Sequence, residues 1–298
     1  ENWGWIGFFG YELGLGWKDN IGKDFSYGID TRFTWYDNKV RTGNFNPNDL
    51  LYPWNKRPGE SSDNGRWGYN HLGLFHTQED IDVYVKQYNI TQALGVNAAD
   101  LRPGMLYYRD VRGALQPDGT FAGPDGVIDD NDQIQLSKKA TNHYGFGVTI
   151  RLGYKGFAFD AVIAGSFGGW SEIDGRTQMQ NNISNLYQNV PAYWNNIYDP
   201  TLNPAGKFPN PAHKDVSLDP VSNFWKTGSF RMRMRNFNLN YTIPKRMTDA
   251  LRMNSARIAL TAVNPLNFYN PYDYRDSEAG WDVYPVLRTY SLGINLSL

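Results

Sequence analysis

The chain has 298 residues and a net charge of −1, from 29 basic and 30 acidic side chains, with no cysteine and 4 histidines. That balance excludes a general nucleic-acid binder, which needs a basic field to release counterions, and the missing thiol excludes a disulfide scaffold, a thiolate metal centre and a cysteine nucleophile. The mean hydropathy of −0.58, with no apolar run near the ~18–20 residues of a membrane-spanning helix, excludes a helical membrane protein but not a β-barrel, whose strands alternate.

The chain opens ENWGWIGFFG, with neither the basic start nor the apolar run of an export signal. The expectation is that a signal has been removed or that the chain begins inside a larger protein. Strand-like alternation starts at once. Phe9, Tyr11, Leu13, Leu15 and Trp17 interleave with Gly10, Glu12, Gly14 and Gly16, and Phe25, Tyr27, Ile29, Phe33 and Trp35 interleave with Ser26, Gly28, Asp30, Arg32 and Thr34. A very long connection follows, over 38–142, rich in Pro, Gly, Asn and Trp. The clearest strand is His143–Tyr154, where Tyr144, Phe146, Val148, Ile150, Leu152 and Tyr154 share one face; a helix repeating at 3.6 residues would not keep that order. A two-residue turn at Lys155-Gly156 leads into Phe157, Phe159, Ala161, Ile163 and Phe167. After a long connection over 169–228, Phe230, Met232 and Met234 fall out of step with Phe237, Leu239, Tyr241 and Ile243, which predicts a bulge or change of environment near Arg235-Asn236. Ile258, Leu260 and Ala262 form a sixth strand, and Val286, Tyr290, Leu292, Ile294, Leu296 and Leu298 a seventh. Short helices are predicted at Lys245–Arg252 and within Gln178–Tyr198.

The connections alternate in length: short near 18–24, very long over 38–142, tight at 155–156, long over 169–228, short over 244–254 and intermediate over 266–285. Transmembrane barrels do this because one side carries turns and the other functional loops, which puts the C-terminus on the short-turn, periplasmic side and the long loops outside the cell. Aromatic residues collect at both strand ends: Trp17, Phe25, Tyr27, Tyr154, Phe157 and Tyr241 at one, Tyr144, Phe167, Phe33 and Trp35 at the other. Seven strands do not close a bacterial single-chain barrel, and an open greasy sheet is unstable. The fold class read from the sequence is therefore all-β: residues 1–298 are expected to be the C-terminal section of a transmembrane antiparallel β-barrel, whose remaining strands lie elsewhere.

Four stretches then resemble a family, the SusC-like (RagA-like) TonB-dependent transporters of the Bacteroidetes outer membrane. Gly73–Ile81 (GLFHTQEDI) resembles its G-L-F-x-[ST]-Q-E-E-I segment. LRPGMLYYRDVRG (Leu101–Gly113) with DGVIDDNDQ (Asp125–Gln133) resembles P-G-x-I-x-Y-x-D-x-N-G-D-G-x-I-D-x-x-D. SFRMRMRNFNLNYTIPKRM resembles Y-L-R-L-R-N-x-x-L-G-Y-x-L-P, and YPVLRTYSLGINLSL resembles the terminal Y-P-x-x-R-x-[FY]-x-x-G-[IL]-[NK] strand. The matches run in family order. The resemblance implies a plugged barrel of about 22 strands, a plug and TonB box upstream, import of glycan or peptide fragments, and a SusD-like surface lipoprotein acting as a lid. The partners it implies are that lipoprotein, the rest of the transporter, the TonB complex, outer-membrane lipid and an oligosaccharide or peptide ligand. The last residues, Ser291, Gly293, Leu296 and Leu298, fit a barrel-assembly terminus, although such chains usually end in an aromatic residue.

Three residue sets are candidates for chemistry. Asp110, Asp125, Val127 (through its carbonyl), Asp129 and Asp132 have the order of a calcium loop, with Gly126 at its turn, although Arg112 stands where an Asn is usual and Ala114–Pro124 is inserted. A solvated acidic turn accounts for the same residues, so no cofactor is required and calcium is the one candidate. Trp54, Trp67, Tyr69, Trp170, Trp194 and Trp225, with Tyr193, sit in the long loops, where aromatic faces stack on sugars or anchor a partner, or else build loop cores. Those aromatics favour glycans over peptides. Glu12, Asp30, Arg32, Arg151 and Asp160 on the polar strand face line a path or form a mutually neutralising network, the latter being the favoured reading. No G-x-S-x-G, H-E-x-x-H, P-loop or strand–helix GxGxxG occurs, so no enzyme is expected. The rival to a transporter is a secreted, soluble β-rich protein that binds or cleaves glycans.

Overall fold

A computed structural model describes residues 4–173, 195–210, 220–273, 275–280 and 283–297. Seven strands form one antiparallel sheet in sequence order: β1 (Trp5–Ile21), β2 (Phe25–Thr42), β3 (Tyr144–Tyr154), β4 (Phe157–Phe167), β5 (Arg231–Thr242), β6 (Ser255–Tyr269) and β7 (Thr289–Ser297). In the β3–β4 hairpin, β3 begins one residue inside the predicted alternation and β4 has the predicted bounds. Its turn residues Lys155 and Gly156 take φ of 43° and 87°, the doubly positive geometry that matches strand twist in a two-residue turn. β1 and β2 extend well beyond the predicted alternation, and β6 runs on to Tyr269. β7 begins three residues later than its apolar alternation, because pairing starts only where Thr289 meets Val263.

The phase break in β5 is a bulge. Val162 of β4 pairs with Asn236 and Ile163 with Met234, which leaves Arg235 as the extra residue. On the other side Asn236 faces Val263 and Met234 faces Leu266, so Asn264 and Pro265 are extra there too. Pro265 lacks an N–H and is tolerated because it sits at this irregularity. The bulge keeps Met232 and Met234 on the same face as Phe237 and Leu239, although the sequence spacing alone would put them on opposite faces.

Two compact units emerge. One comprises Gly7–Asn38, Asn142–Gly168 and Gly228–Leu298, the sheet; the other comprises Glu1–Ile6, Lys39–Thr141 and Gly169–Thr227. In the sheet unit, the apolar face is open to solvent at Leu15 (65%) and Leu292 (73%) on the edge strands and still at Ile29 (43%) in β2. Among the described residues of this unit, no second sheet covers it. The short helix α2 (Lys245–Ala250) follows Pro244 as predicted.

The long connections are not bare loops. They build their own core from Tyr69, Phe75, Ile81, Tyr84, Ile90, Leu106, Tyr108, Ile128 and Trp225, with Phe75 at 0% exposure. A helix absent from the sequence reading, Gln78–Tyr88, packs into it through Ile81 and Tyr84. Its start is fixed by a capping box: Thr77 accepts from the Asp80 N–H while the Asp80 carboxylate accepts from the Thr77 N–H, and Asn89 ends it at φ 53°. Two- to four-residue pairings tie distant segments together, Arg66–Gly68 with Ile134–Ser137 and His71–Leu74 with Leu106–Tyr108. The helix expected within Gln178–Tyr198 falls mostly on residues 174–194, and those, with Tyr193, Trp194 and Leu298, lie outside the described residues.

Candidate functional site

On the polar face of the sheet, charge is paired across strands. Arg32 Nε lies 2.7 Å from Glu12 Oε1, Arg151 bonds the Asp30 carboxylate, and Asn238 Nδ2 donates to Asp160 Oδ2 at 2.8 Å. Each bond joins neighbouring strands at the polar positions of the alternation. The glycines there let the carboxylates approach: a Cβ on Gly16 would meet Asp30 Oδ1 at 2.6 Å. A recess of about 520 Å³ lies over this wall, floored by Gly14, Gly16 and Gly147 and flanked by Asp30, Arg32 and Arg151. The five charged residues singled out in the sequence are thus brought onto one wall, four of them in two ion pairs and Asp160 through Asn238.

Farther along the same face is a group the sequence reading did not assign. Arg231 and Arg233 share the polar face through their pairing with Ser166 and Ala164, and the extra residue at the bulge, Arg235, bonds the same loop as they do. Arg231 Nη1 donates to the Ser277 carbonyl at 2.8 Å, Arg233 holds the Asp276 carboxylate, and Arg235 takes Glu278 in a two-pronged grip, both bonds at 2.5 Å. Burial pushes the Asp276 carboxyl up, but its bond to Arg233 and the Glu278 N–H more than offset this and leave it below the usual carboxylate range. The signal was present as R-x-R-x-R at strand spacing, obscured by the phase break.

In the loop unit, the acidic turn is built around backbone hydrogen bonds. Asp132, fully buried, accepts from the N–H groups of Val111 (2.6 Å), Arg112 (3.1 Å) and Asp129 (2.8 Å). Asp110, also buried, accepts from Gly126 N–H at 2.7 Å, and Asp125 and Asp129 accept from the N–H groups of Val127 and Asn131. Burial raises the Asp132 carboxyl to about 6, against the pull of those N–H bonds, and raises Asp110 as well. One oxygen, Asp110 Oδ1, is buried with no hydrogen-bond partner, which is the one feature that suits a cation. Among the described residues, however, no three His, Cys, Asp or Glu side chains converge as metal ligands. Arg112, in place of the usual Asn, puts its guanidinium over Phe121, 5.2 Å from the ring centroid, and onto the Gln133 carbonyl. Asp110 and Asp132 are buried, Asp129 is partly buried and Asp125 is exposed, so the set is only in part a solvated turn.

The loop aromatics divide. Tyr69 (5%), Trp170 (8%) and Trp225 (1%) are buried. Tyr69 donates to Asp130 at 3.2 Å and Trp170 to Glu172 at 2.6 Å, the latter carboxylate also gripping Arg66. Trp54 and Trp67 are half-buried and lie 6.3 Å apart, with Tyr52 and Phe121 against Trp54. Of the six aromatic candidates, these two present ring area to solvent, Tyr69 and Trp225 belong to the loop core, Trp170 is buried apart from it under Lys226, and Trp194 lies outside the described residues.

No protein-family model matches the chain, and no curated protein does either. Solved structures do. The chain is similar to a structure of the RagAB peptide transporter, with TM-score 0.67 and 20% identity over 100% of this chain and 30% of that one. It is similar to the RagAB peptide importer in its 'closed-closed' state (TM-score 0.67, 19% identity, the same coverage) and in its 'open-open' state (0.65, 20%, covering 99% and 29%). The chain therefore spans under a third of the length of the chains it matches, and the likeness establishes a shared fold.

Proposed function

We propose that this chain forms the C-terminal wall of a TonB-energised importer in a bacterial outer membrane, taking up peptide fragments with a SusD-like lipoprotein as its lid. The observation that carries the reading is a pair of aromatic rows in register. Phe25, Tyr154, Phe157 and Tyr241 align across four strands at one end, and Trp35, Tyr144 and Phe167 across three at the other. Between Tyr144 and Tyr154 the strand runs about 34 Å at ~3.4 Å per residue. Tilted ~40°, that is about 26 Å, matching the ~25 Å apolar band between the aromatic girdles of outer-membrane barrels. The uncovered apolar face between the rows then meets lipid, and the paired charges of the other face look into a plugged lumen. A soluble protein would have to cover that face with a second layer, and this sheet unit supplies none among its described residues.

Peptide is preferred to glycan on two grounds. The aromatic argument for sugars loses Tyr69, Trp170 and Trp225 to burial, and the solved structures of shared fold are of a peptide transporter. In this reading the chain contributes to ligand capture, while plug movement and coupling to TonB belong to segments beyond it. The test is purification from outer membranes. Extraction that needs detergent, with a plug-bearing segment and a SusD-like lipoprotein co-purifying, is the expected result. A monodisperse, detergent-free protein recovered alone would overturn the proposal.

A further inference from the structure

We infer that Arg231, Arg233 and Arg235 form a recognition site for an acidic peptide segment, and that the chain's own Asp276-Ser277-Glu278 segment sits in that site as a tethered stand-in. The inference rests on the importer reading and deepens it by naming the charge of the peptide.

The argument begins with the bulge. In an unbroken strand, Arg231, Arg233 and Arg235 would all point to one side, but the apolar series Met232, Met234, Phe237 and Leu239 could not then keep to the other. The extra residue at Arg235-Asn236 resolves this, because a bulge re-aims side chains while the ladder on either side stays intact. Arg231 and Arg233 stay on the polar face with Asn236 and Asn238, and Arg235 reaches the same short segment as they do. A strand needing only a smooth lipid-facing stripe would have no use for three guanidiniums and a dislocation together.

What they hold is informative in itself. The contacts are a carboxylate at Asp276, a main-chain carbonyl at Ser277 and a second carboxylate at Glu278, taken in order by Arg233, Arg231 and Arg235. That is the pattern of a tight peptide turn with acids two residues apart, read by forked donors suited to carboxylates. A polyuronate would offer no amide carbonyl between its charges. The site also has spare capacity. Three guanidiniums face two carboxylates, and Arg233, 4% exposed, has an Nη1 with no hydrogen-bond acceptor, its nearest carboxylate oxygen being Glu278 Oε2 at 3.3 Å. Arg235 remains 42% exposed at its side chain, so the grip on Glu278 is reachable from solvent. The tethered segment is itself held in a turn by its own bonds, with Glu278 N–H donating to Asp276 Oδ1 at 2.9 Å and Ala279 N–H to the Asp276 carbonyl at 3.2 Å. Asn267 Nδ2 also donates to Asp276 Oδ2 at 3.3 Å and Asn270 Nδ2 to the Arg275 carbonyl at 2.7 Å, so its release must break these two bonds as well as the arginine contacts.

The probe is an acetylated, amidated hexapeptide with the sequence of residues 275–280, labelled for fluorescence anisotropy, with its Asn/Gln counterpart as control. The protein is used in detergent at the length in which it is expressed. Neutralising the stand-in with Asp276→Asn and Glu278→Gln should raise affinity for the acidic probe at least tenfold, since a tethered competitor is removed. Adding Arg233→Gln and Arg235→Gln should abolish binding, and the neutral probe should not bind. In the unaltered protein, millimolar acidic peptide should speed hydrogen exchange at the Glu278 and Ala279 amides as the segment is displaced. That measurement stands even where the variants fail to assemble, which heat-modifiable gel migration would reveal. No gain in an assembled double variant, equal binding of the neutral probe, or displacement by oligogalacturonate as readily as by peptide would each overturn the inference. None of these outcomes depends on membrane extraction, so the importer reading fails separately, by appearing in the soluble fraction.

Discussion

The membrane assignment makes a quantitative demand on Ile29. Its partner across the ladder is Ile150, which lies four residues from the Tyr154 row and six from the Tyr144 row, close to the middle of the apolar band. Ile29 is 43% exposed in the chain by itself, so a longer side chain placed there has room and creates no overpacking. An arginine at the midplane of a barrel's lipid face costs about 2–4 kcal/mol, falling to about 0–1 near the interfaces. Ile29→Arg should therefore weaken the inserted protein by about 2–4 kcal/mol, whereas Phe25→Arg, in the girdle row, should cost about 1 kcal/mol beyond the loss of its ring contacts. Thr149→Arg, one residue from Ile150 but on the polar face and paired across from Asp30, should cost about 0.5 kcal/mol or less. The measurement is urea-driven unfolding from lipid vesicles, followed by tryptophan fluorescence. If the apolar face were in water, Ile29→Arg would fall within the ±0.5 kcal/mol typical of surface changes. Equal cost at Ile29 and Thr149, or no fall in cost toward the Phe25 row, would refute the assignment.

The loop unit carries its own predictions. Phe75, with no exposed surface and stacked on Tyr107 at 4.4 Å, should cost about 3–5 kcal/mol when cut to alanine; limited proteolysis should then attack residues 39–141 while the heat-modifiable migration of the sheet is unchanged. Thr77→Ala removes a cap and should cost about 1 kcal/mol, seen as faster hydrogen exchange at the Asp80 amide that bonds the Thr77 hydroxyl. Asp132 has a folded-state pKa raised to about 6 from 3.8. The folded state thus holds the proton more tightly than the unfolded one, so stability is fullest below about pH 4 and declines as pH rises to about 6, by about 3 kcal/mol in total. Unfolding of the loop unit at pH 4.5 and pH 7 should show that decline, and Asp132→Asn should flatten it. A rise in its unfolding midpoint at pH 7 on adding millimolar calcium would restore the metal reading; no change is expected.

Most of the sheet was legible because one face of each strand is apolar and the other small or polar, so period-two patterning survives. The β3–β4 hairpin is the clearest case, with ends set by aromatic rows and by a turn that needs two positive φ values. The loop core was not legible in the same way. Its apolar residues are spread over Tyr69–Ile128 and Trp225, joined by pairings two to four residues long that no local period announces. The helix was legible and missed. Thr77 with Asp80 three residues on, then Ile81, Tyr84, Val85 and Tyr88 at helical spacing, is a start signal followed by an apolar face. It was overlooked because the surrounding Pro- and Gly-rich sequence suggested irregular loop throughout. The loop aromatics could not be sorted by sequence at all. A tryptophan serves a mini-core as well as a ligand platform, and only burial separates Trp225 from Trp54.

The acidic turn and the arginine group teach the same physical lesson from opposite charges. In both, side chains that look poised for a mobile ion are matched to the chain itself. Asp132 spends its oxygens on three backbone N–H groups, as a cap does, and the loop gains rigidity by giving up ligand capacity. The arginines differ in one respect that decides their role. Two of them hold side-chain carboxylates in reversible ion pairs and the third a main-chain carbonyl, all on one short turn in part open to solvent, whereas the N–H groups around Asp132 belong to the backbone of a packed core. A backbone donor cannot be exchanged without unfolding the unit. An acidic turn can be exchanged for another acidic peptide at the cost of moving six residues, which is why recognition is assigned to the bulge and structure to the acidic loop.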